Sequence, residues 1–167
     1  MKELIYISHY PTNVIEQVRS LIESRKLGHY LKKKYPEVHD INSEKQLYQY
    51  TLQLKNAYIK QSNPLSKVIY DSKIHIYNNA LGTHTYVSRI QGSKLKSKQE
   101  IRIASLFKKA PLSMLNMIIV HELAHLKEKQ HNKAFYKLCE YMLPDYHQLE
   151  LDTRLFLIYS ELFGDLY

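Results

Sequence analysis

The sequence predicts an α+β fold in which a small antiparallel sheet packs on one helix, with an added helical region at the N-terminus. Three observations indicate this class. Apolar residues recur at helical spacing through the first third of the chain. Between Lys67 and Ala104 the period changes to two, with turn residues between the runs. An apolar helical run from Leu112 then leads into the motif His-Glu-Leu-Ala-His at residues 121–125.

Composition indicates one globular domain without a membrane segment. The chain has 167 residues, of which 44% are hydrophobic and 24% charged, and these proportions suit a single core. We expect residues 1–65 to form the helical region and residues 66–167 the core on which it packs. The longest apolar run, residues 155–159, is too short to span a membrane, and residues 1–7 are too short an apolar run for a signal peptide. We therefore expect a cytoplasmic protein.

The only cysteine, Cys139, lies among apolar residues at helical spacing. This pattern is typical of a core residue and not of a nucleophile. One cysteine cannot form a disulfide within the chain, which fits a reducing compartment.

The first third of the chain is predicted to be mainly helical. Residues 1–10 form a short apolar lead that we interpret as a strand or an arm. Two capping-box spacings, at residues 13–16 and 43–46, predict helix starts because the first side chain can accept from the backbone N–H three residues later. Between them, residues 29–34 predict a short helix that ends before Pro36.

The middle of the chain predicts four strands separated by turns. His75 and His84 fall within or beside these runs and are expected to be ordinary strand residues, not metal ligands. The runs are residues 67–70, 74–77, 85–90 and 101–104.

Three helices are predicted after the strands. Pro111 suits the first turn of a helix that spans residues 112–128. Residues 133–143 and 147–163 predict two more. The last of these is apolar on more than one face, which is typical of a helix that is deeply packed or shared with a partner.

The motif at 121–125 predicts a metal site. On a helix, His121 and His125 lie on one face, so two imidazoles can bind one ion. Glu122 lies about 100° round the helix from His121. It can flank the ion without binding it and accept a proton from a metal-bound water.

A catalytic zinc needs a third protein ligand, for which the sequence offers three candidates. Glu128 shares the helical face but lies about 10 Å further along the axis, where a short side chain overshoots the ion. His147 follows a further predicted helix and stays a candidate for the third ligand. His131 is favoured if the helix ends before it, because Asn132 can cap the next helix and His131 can then face the ion from the turn.

These residues resemble the YgjP-like metallopeptidase family, which is related to the SprT-like and WLM proteases. The similarity lies in residues 121–126, in His-Asn-Lys-Ala-Phe-Tyr at 131–136 and in Pro-Asp-Tyr at 144–146, and it extends over residues 66–146. The resemblance implies a small zincin-like fold, with His121, His125 and His131 as zinc ligands and Glu122 as the base. The chain lacks the Trp-Gly-Ser-Cys stretch that many members carry, and residues 87–92 read Val-Ser-Arg-Ile-Gln-Gly instead.

The function predicted first is a zinc-dependent metallopeptidase in which Glu122 assists the attack of a zinc-bound water on a peptide bond. In zincins the substrate commonly lies along an edge strand beside the metal helix, and the resemblance points to residues 101–106, including Ile103.

Charge supports an alternative substrate. The chain carries a net charge of +8, and residues 89–109 contain seven basic residues and one acidic residue. We interpret most of this charge as a solvated surface, since no nucleic-acid motif accompanies it. It can also attract an anionic nucleotide or nucleic-acid-linked substrate. The alternative function is therefore a metal-dependent phosphoanhydride hydrolase with Arg89, Lys94, Lys96 and Arg102 near the phosphates, and a further alternative is a metal-stabilised binding module without turnover.

Overall fold

The structure is a computed structural model that describes residues 2–74, 82–91 and 94–167, with the backbone alone described for residues 82–91 and 94–98. Short 3-10 helices cover Lys2–Ile7 and Ser105–Lys109. The described α-helices are Thr12–Glu23 (α1), Leu27–Lys34 (α2), Glu44–Tyr58 (α3), Leu112–Ala124 (α4), Lys133–Met142 (α5) and Tyr146–Phe163 (α6). The strands are Leu65–Asp71 (β1), Gly82–Gln91 (β2) and Lys94–Ala104 (β3). The α+β class is confirmed.

The start of the chain differs from the prediction in two ways. Residues 2–7 form a 3-10 helix that packs on α6, so the expectation of a strand or an arm is wrong. Helix α1 begins after Pro11 without a side-chain cap, so the predicted capping box at residues 13–16 is not formed. The second box is confirmed: the side chain of Ser43 accepts from the backbone N–H of Gln46, whose own side chain accepts from the backbone of Ser43.

The sheet is mixed, whereas an antiparallel sheet was expected. Its strand order is β1-β3-β2, with β2 antiparallel and β1 parallel to β3. The antiparallel prediction is correct for β2 with β3 and wrong for β1 with β3, because β3 returns between the two earlier strands. Predicted strand 74–77 is not seen at Ile74, which lies outside any strand, and residues 75–77 are outside the described residues.

The central position of β3 also affects the substrate expectation. Tyr70 of β1 pairs with Ile103 on one side, and Gly82 of β2 pairs with it on the other. The backbone of residues 101–103 is therefore enclosed between two strands. The expectation that this stretch offers a free edge to a substrate peptide is wrong.

The core is organised around α4, which contacts the sheet, α3, α5 and α6. Most of its side chains are inaccessible to solvent, because the helix is apolar on nearly its whole circumference. Burying each Leu or Ile side chain contributes roughly 1.5–3 kcal/mol, which fixes the position of the helix that carries the motif. No helix in the described ranges has the length and apolarity needed to cross a membrane.

A buried carboxylate connects α2 to α6. Asp152 accepts hydrogen bonds from the hydroxyls of Tyr30 at 2.9 Å and Tyr35 at 2.5 Å, and from Nζ of Lys34 at 2.7 Å. Its side chain is fully buried, so these donors satisfy a group that is otherwise costly to bury. The network links the helical N-terminal region to the last helix. The division of the chain at residues 65/66 stays a prediction.

Candidate metal centre

Three histidines meet at the end of α4. Nitrogen atoms of His121, His125 and His131 lie within 4.8 Å of one another, and Nε2 of His125 is 3.0 Å from Nε2 of His131. His121 is in α4, His125 follows its last residue, and His131 comes from the turn before α5. The structure thus brings together the three residues favoured from the sequence.

The turn exists because α4 ends early. The helix was expected to continue to residue 128, but it ends at Ala124. The N–H groups of Leu126 and Lys127 bond to carbonyls three residues earlier, at 3.0 Å each, which tightens the chain out of the helical path. Helix α5 then starts at a confirmed cap, since the side chain of Asn132 accepts from the N–H of Phe135 at 2.9 Å.

Two hydrogen bonds orient the imidazoles. Nδ1 of His121 lies 2.7 Å from the hydroxyl oxygen of Tyr146, and Nδ1 of His125 donates to the carbonyl of Glu128 at 2.9 Å. These contacts occupy Nδ1 of both rings, so an ion would be bound through Nε2 of each. Ring nitrogens that bind metals in proteins are commonly held in this way.

The donor set fits a zinc ion. Two nitrogens bound tetrahedrally at ~2.0–2.1 Å lie about 3.3 Å apart, close to the separation of 3.0 Å between Nε2 of His125 and Nε2 of His131. Burial, followed by the charges of neighbouring groups, lowers the pKa of His121 well below its usual range. Burial is also the main reason that the pKa values of His125 and His131 are lowered. Neutral imidazoles are the form that binds a metal.

Glu122 is the buried acidic residue of the motif. It is only 2% exposed, and burial raises the pKa of its carboxyl to about 8. Removal from water disfavours the charged form, which is how catalytic carboxyl groups are commonly tuned.

The other two ligand candidates point elsewhere. The side chain of Glu128 accepts from Nδ2 of Asn132 at 3.3 Å, while its backbone carbonyl accepts from His125. His147 lies 3.0 Å from the carboxylate of Glu140, with its side chain 57% exposed. Neither side chain belongs to the histidine cluster.

Where the structure describes their side chains, the predicted substrate-binding residues have partners other than the histidines. Ile103 is fully buried in the central strand. Arg102 bonds Asp71 at 3.0 Å and Glu100 at 3.6 Å. Arg89 is paired with Lys96 across β2 and β3, and its side chain is outside the described part, as are the side chains of Lys94 and Lys96. His75 is likewise outside the described residues, and His84 is described only as a backbone position of β2.

Three polar residues near the centre come from α6, and the sequence had singled out only Tyr146 among them, as part of the Pro-Asp-Tyr stretch. Tyr146 contacts His121, and Glu150 and Arg154 follow it at intervals of four. Glu150 and Arg154 form an ion pair of 3.0 Å with side chains only 9% and 13% exposed. The sequence signal that could have identified these residues is their spacing. Polar side chains at intervals of four in an otherwise apolar helix lie on neighbouring turns of one face.

Cys139 is a core residue, as expected. It is fully buried, and burial raises the pKa of its thiol to about 12. A thiol of this kind is not a nucleophile at neutral pH.

Comparison with known proteins adds two matches. The family model described as YgjP-like, metallopeptidase domain, matches residues 32–154. A protein of Escherichia coli (strain K12) named UTP pyrophosphatase is 57% identical over 157 residues, which cover 94% of this chain and 94% of that protein. No solved structure matches.

Proposed function

Because this chain belongs to the YgjP-like metallopeptidase family, we propose that it is a zinc-dependent hydrolase that cleaves a phosphoanhydride bond of a nucleoside triphosphate. The observation that carries the hydrolase assignment is the cluster of three imidazoles beside a buried glutamate. The substrate class rests on the 57% identical relative named UTP pyrophosphatase. UTP is therefore the first substrate to test, with UMP and pyrophosphate as the expected products.

His121, His125 and His131 would hold the ion. Three histidines are a ligand set of catalytic zinc sites, and they leave a coordination position open. When bound, Zn²⁺ supplies Lewis-acid chemistry and lowers the pKa of water to about 7. Tyr146 and the carbonyl of Glu128 keep two of the rings oriented, as their hydrogen bonds of 2.7 and 2.9 Å indicate.

Glu122 is proposed as the general base. It follows His121 directly in the chain, and its carboxyl group is buried, which raises the pKa of that group. Such a carboxyl group can accept a proton from the attacking water and return it to the leaving phosphate oxygen. Hydrolysis then consumes one water and needs no other reactant.

Peptide hydrolysis, the function favoured from the sequence, is the second candidate. The family's description as a metallopeptidase domain supports it, and Glu122 would play the same role in cleaving a peptide bond. The expected edge-strand contact at residues 101–106 no longer supports it, because residues 101–103 lie in the central strand β3 and residues 105–109 form a 3-10 helix. No contact in the described part of the protein favours a non-catalytic binding module.

A substrate panel tests the assignment. Purified protein loaded with zinc is given UTP, the other nucleoside triphosphates and a mixture of unstructured peptides, and products are identified by chromatography. We expect pyrophosphate from UTP and activity that falls steeply with salt, since the Debye length shrinks from ~10 Å at 0.1 M to ~3 Å at 1 M. Peptide cleavage with little salt dependence, and no turnover of any nucleotide, would replace the first candidate with the second.

A further inference from the structure

One face of α6 continues from the metal centre toward the start of the chain. Tyr146, Glu150 and Arg154 are spaced four residues apart on this helix, so they lie within about 80° of one another around its axis. Tyr146 contacts His121 at 2.7 Å. Glu150 and Arg154 extend the same face to the 3-10 helix at residues 2–7, which packs on α6.

Arg154 is held rigidly on this face. Its Nη2 donates to the carboxylate of Glu150 at 3.0 Å, and its Nη1 donates to the carbonyl of Tyr6 at 3.1 Å. The side chain is only 13% exposed. Its buried Nε has no hydrogen-bond partner among the groups that the structure describes. The guanidinium therefore has a fixed orientation and keeps donor capacity for a further acceptor.

The guanidinium of Arg154 lies on the metal side of its own backbone position. Helical side chains lean toward the N-terminus, and the bond to Glu150 draws the charged end back by one turn. This places it roughly 6 Å along the helix axis from Tyr146.

The approach to this region is partly open. His131 is exposed, so a ligand can reach the cluster from solvent. Tyr10 lies near Arg154, and burial is the main reason that its pKa is raised to about 12. A phenol that keeps its proton can donate to a bound anion.

We propose that Arg154 binds a phosphate oxygen of the nucleotide whose scissile bond lies at the histidine cluster. This inference rests on the function proposed above. A guanidinium stays charged, and its planar fork matches phosphate oxygens better than an ammonium does. Glu150 and the Tyr6 carbonyl hold the fork in place before substrate arrives, which reduces the entropy lost on binding.

Arg154 suits this role better than Arg102, the candidate taken from the sequence. Arg102 bonds two carboxylates, those of Asp71 and Glu100, so its surroundings are negative overall. Arg154 bonds one carboxylate and one neutral carbonyl. An anionic substrate meets less repulsion at the second site.

A merely structural role is the competing explanation, because Arg154 also ties the 3-10 helix to α6 through Tyr6. The two roles are separated by measuring substrate binding without turnover. Zinc-loaded Glu122→Gln protein is titrated with UTP by calorimetry, alone and combined with Arg154→Gln, Arg154→Lys, Arg102→Gln or Arg19→Gln. Arg19 is exposed on α1 and controls for the loss of one positive charge. Zinc content and thermal midpoint are recorded for each variant.

We expect Arg154→Gln to weaken UTP binding by about tenfold or more, as for loss of a hydrogen bond between charged groups. Arg154→Lys should weaken it less, and Arg19→Gln by less than about twofold. If Arg154→Gln does not fold, Arg154→Lys is used in its place. Its Kd for UTP is measured in Glu122→Gln protein, and its KM for UTP is measured in protein that keeps Glu122. Unchanged UTP affinity in a folded Arg154 variant, or a loss seen with Arg102→Gln alone, would overturn the inference while the proposed function stands. If the wild-type protein releases no pyrophosphate from UTP, the proposed function fails and this inference fails with it.

Discussion

The Nδ1 atom of His121 lies 2.7 Å from the hydroxyl oxygen of Tyr146, which is fully buried on α6. If Nε2 of His121 binds the ion, Nδ1 carries the hydrogen and donates it to the phenol oxygen. The contact therefore fixes both the tautomer and the ring orientation of a proposed zinc ligand. It also joins two helices of the core at the point where the chemistry is expected.

The Tyr146→Phe variant tests this contact. Removing the hydroxyl should lower zinc affinity about 10–100-fold, as found for groups that orient metal ligands. The ring remains to fill the core, so the fold should survive. The measurement is zinc competition with a chromophoric chelator, with Tyr141→Phe as the control because Tyr141 is 65% exposed. Equal zinc affinity in the two variants would show that the hydroxyl does not orient the ligand.

The ligand set can be tested by comparing three alanine variants. His131→Ala should remove most zinc binding, because its ring nitrogens lie within the cluster. Glu128→Ala and His147→Ala should lower zinc affinity less. Glu128→Ala keeps the backbone carbonyl that accepts from His125, and the side chain of His147 contacts Glu140 instead of the cluster. Zinc content after dialysis against a weak chelator reports the result. Loss of zinc in His147→Ala with retention of zinc in His131→Ala would identify His147, and not His131, as the third ligand.

The buried network at Asp152 should be important for stability. Asp152→Asn removes an acceptor from the hydroxyls of Tyr30 and Tyr35 and from Lys34. We expect a loss of about 1–3 kcal/mol in the free energy of unfolding, measured by urea denaturation. Asp165→Asn, at an exposed position near the C-terminus, should change it by less than about 0.5 kcal/mol. Similar free energies of unfolding for the two variants would show that the network does not stabilise the protein.

Alkaline pH should destabilise the protein through its buried tyrosines. Burial is the largest cause of the raised pKa of Tyr35, Tyr70 and Tyr146. In the unfolded chain these phenols titrate near pH 10. Their contribution to the free energy of unfolding is therefore complete below that pH and is lost as the pH rises above it. We expect the thermal midpoint to fall between about pH 10 and 11.5, with part of the phenolate absorbance appearing only on unfolding. A thermal midpoint that stays constant over this range would contradict the expectation.

Local patterns in the sequence predicted much of the fold. The helix caps at Ser43 and Asn132 were predicted because each depends on residues within one turn. The histidine cluster was found because His121 and His125 are four residues apart at the end of one helix and His131 follows in a turn that the sequence predicted. The parallel pairing of β1 with β3 was missed, since strand pairing depends on contacts far apart in sequence. Glu150 and Arg154 were missed because each is an unremarkable residue in its own helix, and their position near the centre depends on what that helix packs against. Tyr146 was noted only as part of the Pro-Asp-Tyr stretch, and its contact with His121 depends on how two distant helices pack.

The most direct test is the release of pyrophosphate from UTP by wild-type and Glu122→Gln protein at matched zinc occupancy, with and without a chelator. We predict release by the zinc-loaded wild-type protein, loss of release on chelation, and recovery when zinc is restored. Glu122→Gln should keep its zinc and lose the activity, because an amide cannot accept the proton from water. Full activity in zinc-loaded Glu122→Gln protein, or release of pyrophosphate that is unaffected by removing the metal, would contradict the proposed mechanism.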